Sequence, residues 1–201
     1  MRIIGGTAGG TVLKAPKGLA VRPTPDLVRQ AVFNSLGERV LEARVLELFA
    51  GTGALSLECL SRGAAHAIAV ELSPKHARFI ESNVTAAGLA RERFSVRVQD
   101  VFTALPQLAA AGQQFDLILA DPPYGEKNVG KRSESFAQKL LDHEQLPHIL
   151  KPGGLLILGH ARRDTLTLPA TWEERKVLKH GDSWMRFLRP ARAAEPVDNP
   201  A

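Results

Sequence analysis

Between residues 44 and 160 the chain alternates two hydrophobic rhythms. Short apolar runs at 45–49, 67–71, 94–98, 115–120 and 155–158 predict strands, and 115–120 is apolar enough to be buried on both faces. Between them, apolar side chains recur at helical spacing. One helix is expected over about 53–62. A second opens at Ser73-Pro74, carries Ala77, Ile80, Val84 and Ala87 on one stripe, and ends at Gly88. A helical region over about 133–150 leads into Lys151-Pro152-Gly153-Gly154. Strands alternating with helices imply a mostly parallel α/β sheet with right-handed crossovers.

The flanks follow other patterns. Residues 1–23 are glycine-dense, with β-prone pieces at Ile3-Ile4 and Thr11-Val12-Leu13. They predict a small β-hairpin that must lean on the main domain or on a partner. Thr24-Pro25-Asp26 predicts a helix start, with Thr24 as cap and Pro25 at the first helical position. Val28, Val32 and Leu36 give that helix its stripe, and Gly37 can end it. Near the other end, β-prone pieces at about 176–179 and 184–188 flank Gly181-Asp182 and predict a closing antiparallel pair. The expected division is an N-terminal extension over 1–23, one domain over 24–190, and a fraying tail over 191–201.

Composition narrows the class. With 201 residues, 44% hydrophobic and 23% charged, the chain can bury a full core, which argues against disorder. Its apolar runs fall far short of the ~20 residues that span a bilayer, and Met1-Arg2-Ile3-Ile4 does not open a signal peptide. A lone Cys59 argues against a disulfide framework or a thiolate zinc site and fits a reducing cytoplasm. The six histidines show no ligand spacing, so no metal is expected. No segment demands a second copy, so a monomer is the default expectation. The net charge is +5, and Arg2, Lys14, Lys17, Arg22 and Arg29 face a single acid, Asp26, in the first thirty positions. That balance favours a polyanionic partner, although a solvated basic surface gives the same count.

The chemistry concentrates where strands end. Phe49-Ala50-Gly51-Thr52-Gly53-Ala54 leaves the first strand and enters the first helix, where glycine lets backbone approach a ligand. Glu71, at the end of the second strand and 20 positions after Gly51, can accept from two ribose hydroxyls. Asp100 follows the third strand and reaches the same rim. No Gly-Lys-Ser/Thr phosphate clamp is present, so a nucleoside with a non-phosphate tail fits better than a nucleoside triphosphate. After the fourth strand comes Asp121-Pro122-Pro123-Tyr124. Its prolines remove two backbone donors and hold the chain extended. The Asp121 carboxylate and Pro122 carbonyl can then take both hydrogens of an exocyclic amino group, while Tyr124 offers a stacking face.

These motifs resemble, in order, those of class I S-adenosylmethionine-dependent methyltransferases. Asp121-Pro122-Pro123-Tyr124 looks like the motif of enzymes that methylate exocyclic amino nitrogens. The N-terminal stretch Arg2 to Pro16, the Arg22-Pro23-Thr24 segment before a helix, and the run from Leu46 to Ala64 are similar to the RsmD family of bacterial 16S rRNA guanine-N2 methyltransferases. The resemblance runs nearly end to end. It departs at Leu27 and Gln30, where a basic and an acidic residue would be usual, at Tyr124 in place of phenylalanine, and at Thr7-Ala8 in the hairpin.

The resemblance implies a Rossmann-like fold with a seven-stranded sheet, helices on both faces and a hairpin extension, working in the cytoplasm with S-adenosylmethionine as cofactor. Thr24, Glu47, Phe49, Ala50, Gly51, Thr52, Gly53, Ala54, Glu71, Leu72, Asp100 and Val101 would hold the cofactor. Asp121, Pro122, Pro123 and Tyr124 would orient the target amino group. Arg2, Lys14, Lys17, Arg22, Lys127, Lys131 and Arg132 would touch 16S rRNA, within the small ribosomal subunit or an assembly intermediate. Competing readings remain at this point: an adenine in DNA or another RNA as target, or an assembly factor that keeps the pocket without turnover.

Overall fold

Seven strands form one sheet in the order β3-β2-β1-β4-β5-β7-β6 in a computed structural model that describes residues 1–15, 24–125, 127–128 and 131–191. The strands are β1 (Arg44–Leu48), β2 (His66–Glu71), β3 (Phe94–Val98), β4 (Phe115–Ala120), β5 (Leu150–Ala161), β6 (Trp172–His180) and β7 (Ser183–Pro190). The helices are α1 (Asp26–Leu36), α2 (Ala54–Ser61), α3 (Pro74–Ala86), α4 (Val101–Ala110), α5 (Phe136–Leu141) and α6 (Gln145–His148). β1 to β5 run parallel; β7 is antiparallel to both β5 and β6.

The two-residue period of the strands builds a core on each face. Leu46, Leu48, Ile118, Ala120, Leu156 and Leu158 point to the side covered by α4, α5 and α6. Val45, Leu117, Leu119 and Ile157 point to the side covered by α1 and α2. Both strand faces are therefore apolar, as expected of a parallel sheet buried between helices. β1 pairs with β2 on one side and β4 on the other, and the chain order reverses between β1 and β4. The carboxyl ends of these two strands open the crevice in which such folds hold ligands.

The hairpin is reduced to one antiparallel bridge, Arg2 with Val12, and does lean on the domain. Ile3, Ala8 and Leu13 pack on Ala54, Leu57 and Val84. The fully buried Glu58 accepts from Ile4 N and Gly5 N and from Arg62 Nε at 2.7, 2.9 and 2.7 Å. The buried Asn83 accepts from Lys14 N and donates to the carbonyls of Lys14 and Thr52, which joins the hairpin to the turn after β1. Lys17, Arg22 and the tail 192–201 lie outside the described residues.

Four local expectations change. Thr24 does not cap α1: Pro25 holds that position with no side-chain bond, and the Thr24 hydroxyl is used elsewhere. α4 is a helix that the pattern left unassigned. Asp100 caps it, accepting from Phe102 N and Thr103 N, and Val101, Ala104, Leu105 and Leu108 form its buried stripe despite Pro106. The expected helix over 133–150 is two short helices, α5 and α6, separated at Asp142-His143-Glu144. β5 runs well beyond 155–158, with a bulge at the Pro152-Gly153-Gly154 turn.

Candidate active site

The turn after β1 is built from left-handed backbone. Phe49, Gly51 and Gly53 have φ of 58°, 58° and 74°. For Phe49 this is a costly conformation, of the kind that persists where a site needs it. Glu71 holds the turn from β2: it accepts from Gly51 N at 2.8 Å and Ser73 N at 2.9 Å, and His76 Nδ1 lies 3.2 Å away. Glu47 accepts from Leu55 N and Ser56 N, the free donors at the start of α2. Its complete burial pushes its pKa up to about 7, with its hydrogen bonds working the other way.

These groups surround a cavity of about 270 Å³ at the carboxyl ends of β1, β2 and β4. Four carboxylates face it, Glu47, Glu71, Asp100 and Asp121, and among the described residues no lysine or arginine lines it. A cationic ligand suits that lining; a polyphosphate does not. On one side stands an aromatic cluster in which Phe49 lies 5.4 Å from Phe136 and 6.2 Å from Phe102.

Asp121 sits where β4 ends. Thr24 Oγ1 donates to its Oδ2, whereas Oδ1 is buried with no hydrogen-bond partner among the described residues. Burial raises the Asp121 pKa to about 6, and the Thr24 bond opposes the rise. β5 comes close to Asp121 at residue 159, which is glycine. A Cβ there would collide with Asp121 Oδ1 and stand 3.1 Å from Met185 Sδ.

Of the residues expected to hold a cofactor, Thr24, Glu47, Phe49, Ala50, Gly51, Thr52, Ala54, Glu71, Leu72, Asp100 and Val101 line the cavity. Gly53 does not; a Cβ on it would meet Ile80 Cγ2 at 2.8 Å, so its place is in packing the turn on α3. Asp121 and Pro123 line the cavity, while Pro122 is buried and is not part of the lining. Tyr124 is outside the lining, and its hydroxyl donates to Ser183 Oγ at 2.8 Å.

Sequence reasoning missed Met1, Leu55, His76 and Phe136, which also line the cavity. His76 had a legible signal, three positions after the Ser73 cap and on the Glu71 side of α3. Phe136 had none, because the path of the long connection after Tyr124 decides where it lands. Among the described residues, Lys127, Lys131 and Arg132 lie together beyond Tyr124, and Arg2 and Lys14 lie apart from them on the hairpin. Arg2 approaches Asp26 at 3.7 Å.

The sheet order, the glycine turn and the acidic crevice define a class I methyltransferase fold of the S-adenosylmethionine-dependent type. The family described as Conserved hypothetical protein 95 matches residues 1–189, and the chain belongs to it; these are the RsmD-type methyltransferases. The chain is 34% identical over 171 residues to the Bacillus subtilis protein named "Putative rRNA methyltransferase YlbH", covering 85% of this chain and 87% of that one. It is 37% identical over 126 residues to Ribosomal RNA small subunit methyltransferase D of Escherichia coli, covering 62% and 60%. A solved structure of a hypothetical protein from Thermus thermophilus superposes with a TM-score of 0.76 at 31% identity, covering 94% of this chain and 99% of that one. No helix among the described residues is long and apolar enough to cross a membrane.

Proposed function

We propose that the protein transfers a methyl group from S-adenosylmethionine to the N2 amino group of one guanine in 16S rRNA. The observation that carries the reading is Asp121: a buried carboxylate with one oxygen held by Thr24 and the other unpartnered, at the mouth of an acidic cavity. A free acceptor oxygen in a dry site costs stability unless a ligand's donor pairs with it. The names of the Bacillus and Escherichia relatives support rRNA as the substrate class.

The residues fit the cofactor. Glu71 would take the ribose hydroxyls, Asp100 the adenine amino group, and Phe49 and Phe136 the adenine face. Glu47 and the backbone of Phe49 to Thr52 would surround the methionine portion, and the acidic lining suits its positive charges. The cofactor supplies a methyl carbon on a positively charged sulfur. The protein's part is then mainly orientation. Asp121 and the Pro122 carbonyl would accept both hydrogens of the amino group, turning the nitrogen lone pair out of the ring and toward the methyl donor. With two prolines in succession, no backbone N–H of residues 122 and 123 competes for that lone pair. A paired base hides its amino edge, so the target must be unpaired or flipped out.

The test offers methyl-labelled cofactor to small subunits lacking the modification, protein-free rRNA, transfer RNA and DNA, and identifies the labelled nucleoside after digestion. N2-methylguanosine from small-subunit RNA is the expected product. Label in N6-methyladenine would keep the role of Asp121 and overturn the substrate.

A further inference from the structure

A second groove, of about 670 Å³, opens beyond the catalytic motif and carries five exposed cations, Lys127, Lys131, Arg132, Arg162 and Arg163. The first three come from the loop after Tyr124. The two arginines come from the connection between β5 and β6, and they reach the groove because β5 continues to Ala161. Among the described residues only Arg132 is paired with an acid, Asp142 at 2.6 Å. The carboxylate nearest in sequence to the arginines, Asp164, is 1% exposed and is not part of the lining.

The two walls are fastened together. Asn128 accepts from Thr165 N at 2.9 Å and donates to Thr165 O at 3.0 Å and to Lys131 O at 3.3 Å. Two residues on, Gln138 of α5 does the same, accepting from Thr167 N at 2.8 Å and donating to Thr167 O at 2.9 Å. Two side-chain carboxamides thus take the place of a neighbouring strand along 165–167. Arg163 Nε also donates to Gly125 O at 3.4 Å, one residue from Tyr124. Gly125 in turn lies no more than ~14 Å along the chain from Asp121.

We infer that this groove binds the phosphates of the RNA strand that flank the target nucleotide, with Arg162 and Arg163 as the wall opposite Lys127 and Lys131. The inference rests on the RNA reading above and adds to it a phosphate site. Unpaired cations spread along two walls match a strand of spaced charges better than one compact anion. The Asn128 and Gln138 clasps fix the spacing of the walls before RNA arrives, so less ordering cost falls on binding.

The experiment measures binding of cofactor-loaded protein to small ribosomal subunits across a series of KCl concentrations, with methyl transfer followed in parallel. R162A/R163A is expected to weaken binding about tenfold near 0.15 M salt and to flatten the slope of log K against log salt by about 1.5. At subsaturating subunits its methyl transfer should fall in step with the loss of binding. R162K/R163K should recover most of the slope. R39A/R78A, which removes two exposed cations elsewhere, should change neither quantity. N128A should lower affinity while leaving the slope intact, because it removes no charge. If R162A/R163A behaves like R39A/R78A while the unaltered protein methylates rRNA, the groove assignment is overturned and the functional reading stands. If the unaltered protein neither binds nor methylates rRNA, both fall.

Discussion

The Thr24 hydroxyl donates to the Asp121 carboxylate across 97 positions of sequence, joining the segment before α1 to the end of β4. The bond occupies one Asp121 oxygen, Oδ2, and leaves Oδ1 as the one available in the proposed mechanism. Thr24→Val keeps the shape and removes the donor. It should slow methyl transfer about tenfold, the worth of one hydrogen bond to a charged group, with cofactor affinity little changed. Single-turnover rates beside calorimetric cofactor titration would separate the two effects; an unaltered rate would remove Thr24 from the positioning of Asp121.

Asp121 should also set the pH profile. In the proposed mechanism Asp121 accepts from the amino group as the ionised carboxylate, and burial raises its pKa to about 6. The transfer rate should therefore climb with pH through about 6 and level above it. Because the Thr24 bond lowers this pKa, Thr24→Val should move the limb to higher pH. Asp121→Ala should reduce transfer by at least about a hundredfold at every pH, with cofactor binding nearly intact. Normal turnover by that variant would overturn the mechanism.

Glu47 makes stability depend on pH in the opposite sense from a paired carboxylate. Its folded pKa is about 7 against 4.5 in the unfolded chain. Below 4.5 it is protonated in both states and has no effect. Between 4.5 and 7 only the unfolded chain ionises, so stability falls as pH rises, by about 3 kcal/mol in all. Above 7 the loss is constant. Glu47→Gln should flatten this portion of the curve, while losing one acceptor for the α2 donors at every pH. Urea unfolding at pH 5 and pH 8 checks it: equal pH dependence in the two proteins would refute the assignment.

Glu58 should decide whether the hairpin stays docked. It is fully buried and holds two hairpin N–H groups as well as Arg62. Glu58→Ala leaves all three without their acceptor and should cost about 3 kcal/mol. The hairpin should then be cut early in limited proteolysis, before the domain itself unfolds. Unchanged protection of residues 1–15 would show that Ile3, Ala8 and Leu13 suffice to hold it.

Elements with an unbroken period and an ordinary cap were legible beforehand: β3 and β4 fall on the expected residues, and Ser73-Pro74 opens α3 as its chemistry requires. α4, with Pro106 inside it, was not assigned from the sequence, although it begins at an Asp100 side chain that accepts from Phe102 N and Thr103 N. Thr24 had the right residue type for a cap, but its hydroxyl donates to the distant Asp121 and Pro25 holds the cap position instead. Most of the cavity lining was readable because strand ends converge in this topology. Phe136 and the pair Arg162-Arg163 were not, since their positions depend on how far β5 extends and on clasps made by Asn128 and Gln138.

The close approach of residue 159 to Asp121 Oδ1 ties a position on β5 to the residue that follows the neighbouring β4. With room for no side-chain atom at that position, any larger residue must displace the acceptor or the strand beneath it. In this chain Gly159→Ala would push Asp121 Oδ1 out of the place it holds, leaving Thr24 as the hold on the other oxygen. The ends of β4 and β5 are thus coupled, so that a change of residue at 159 is felt first at the carboxylate.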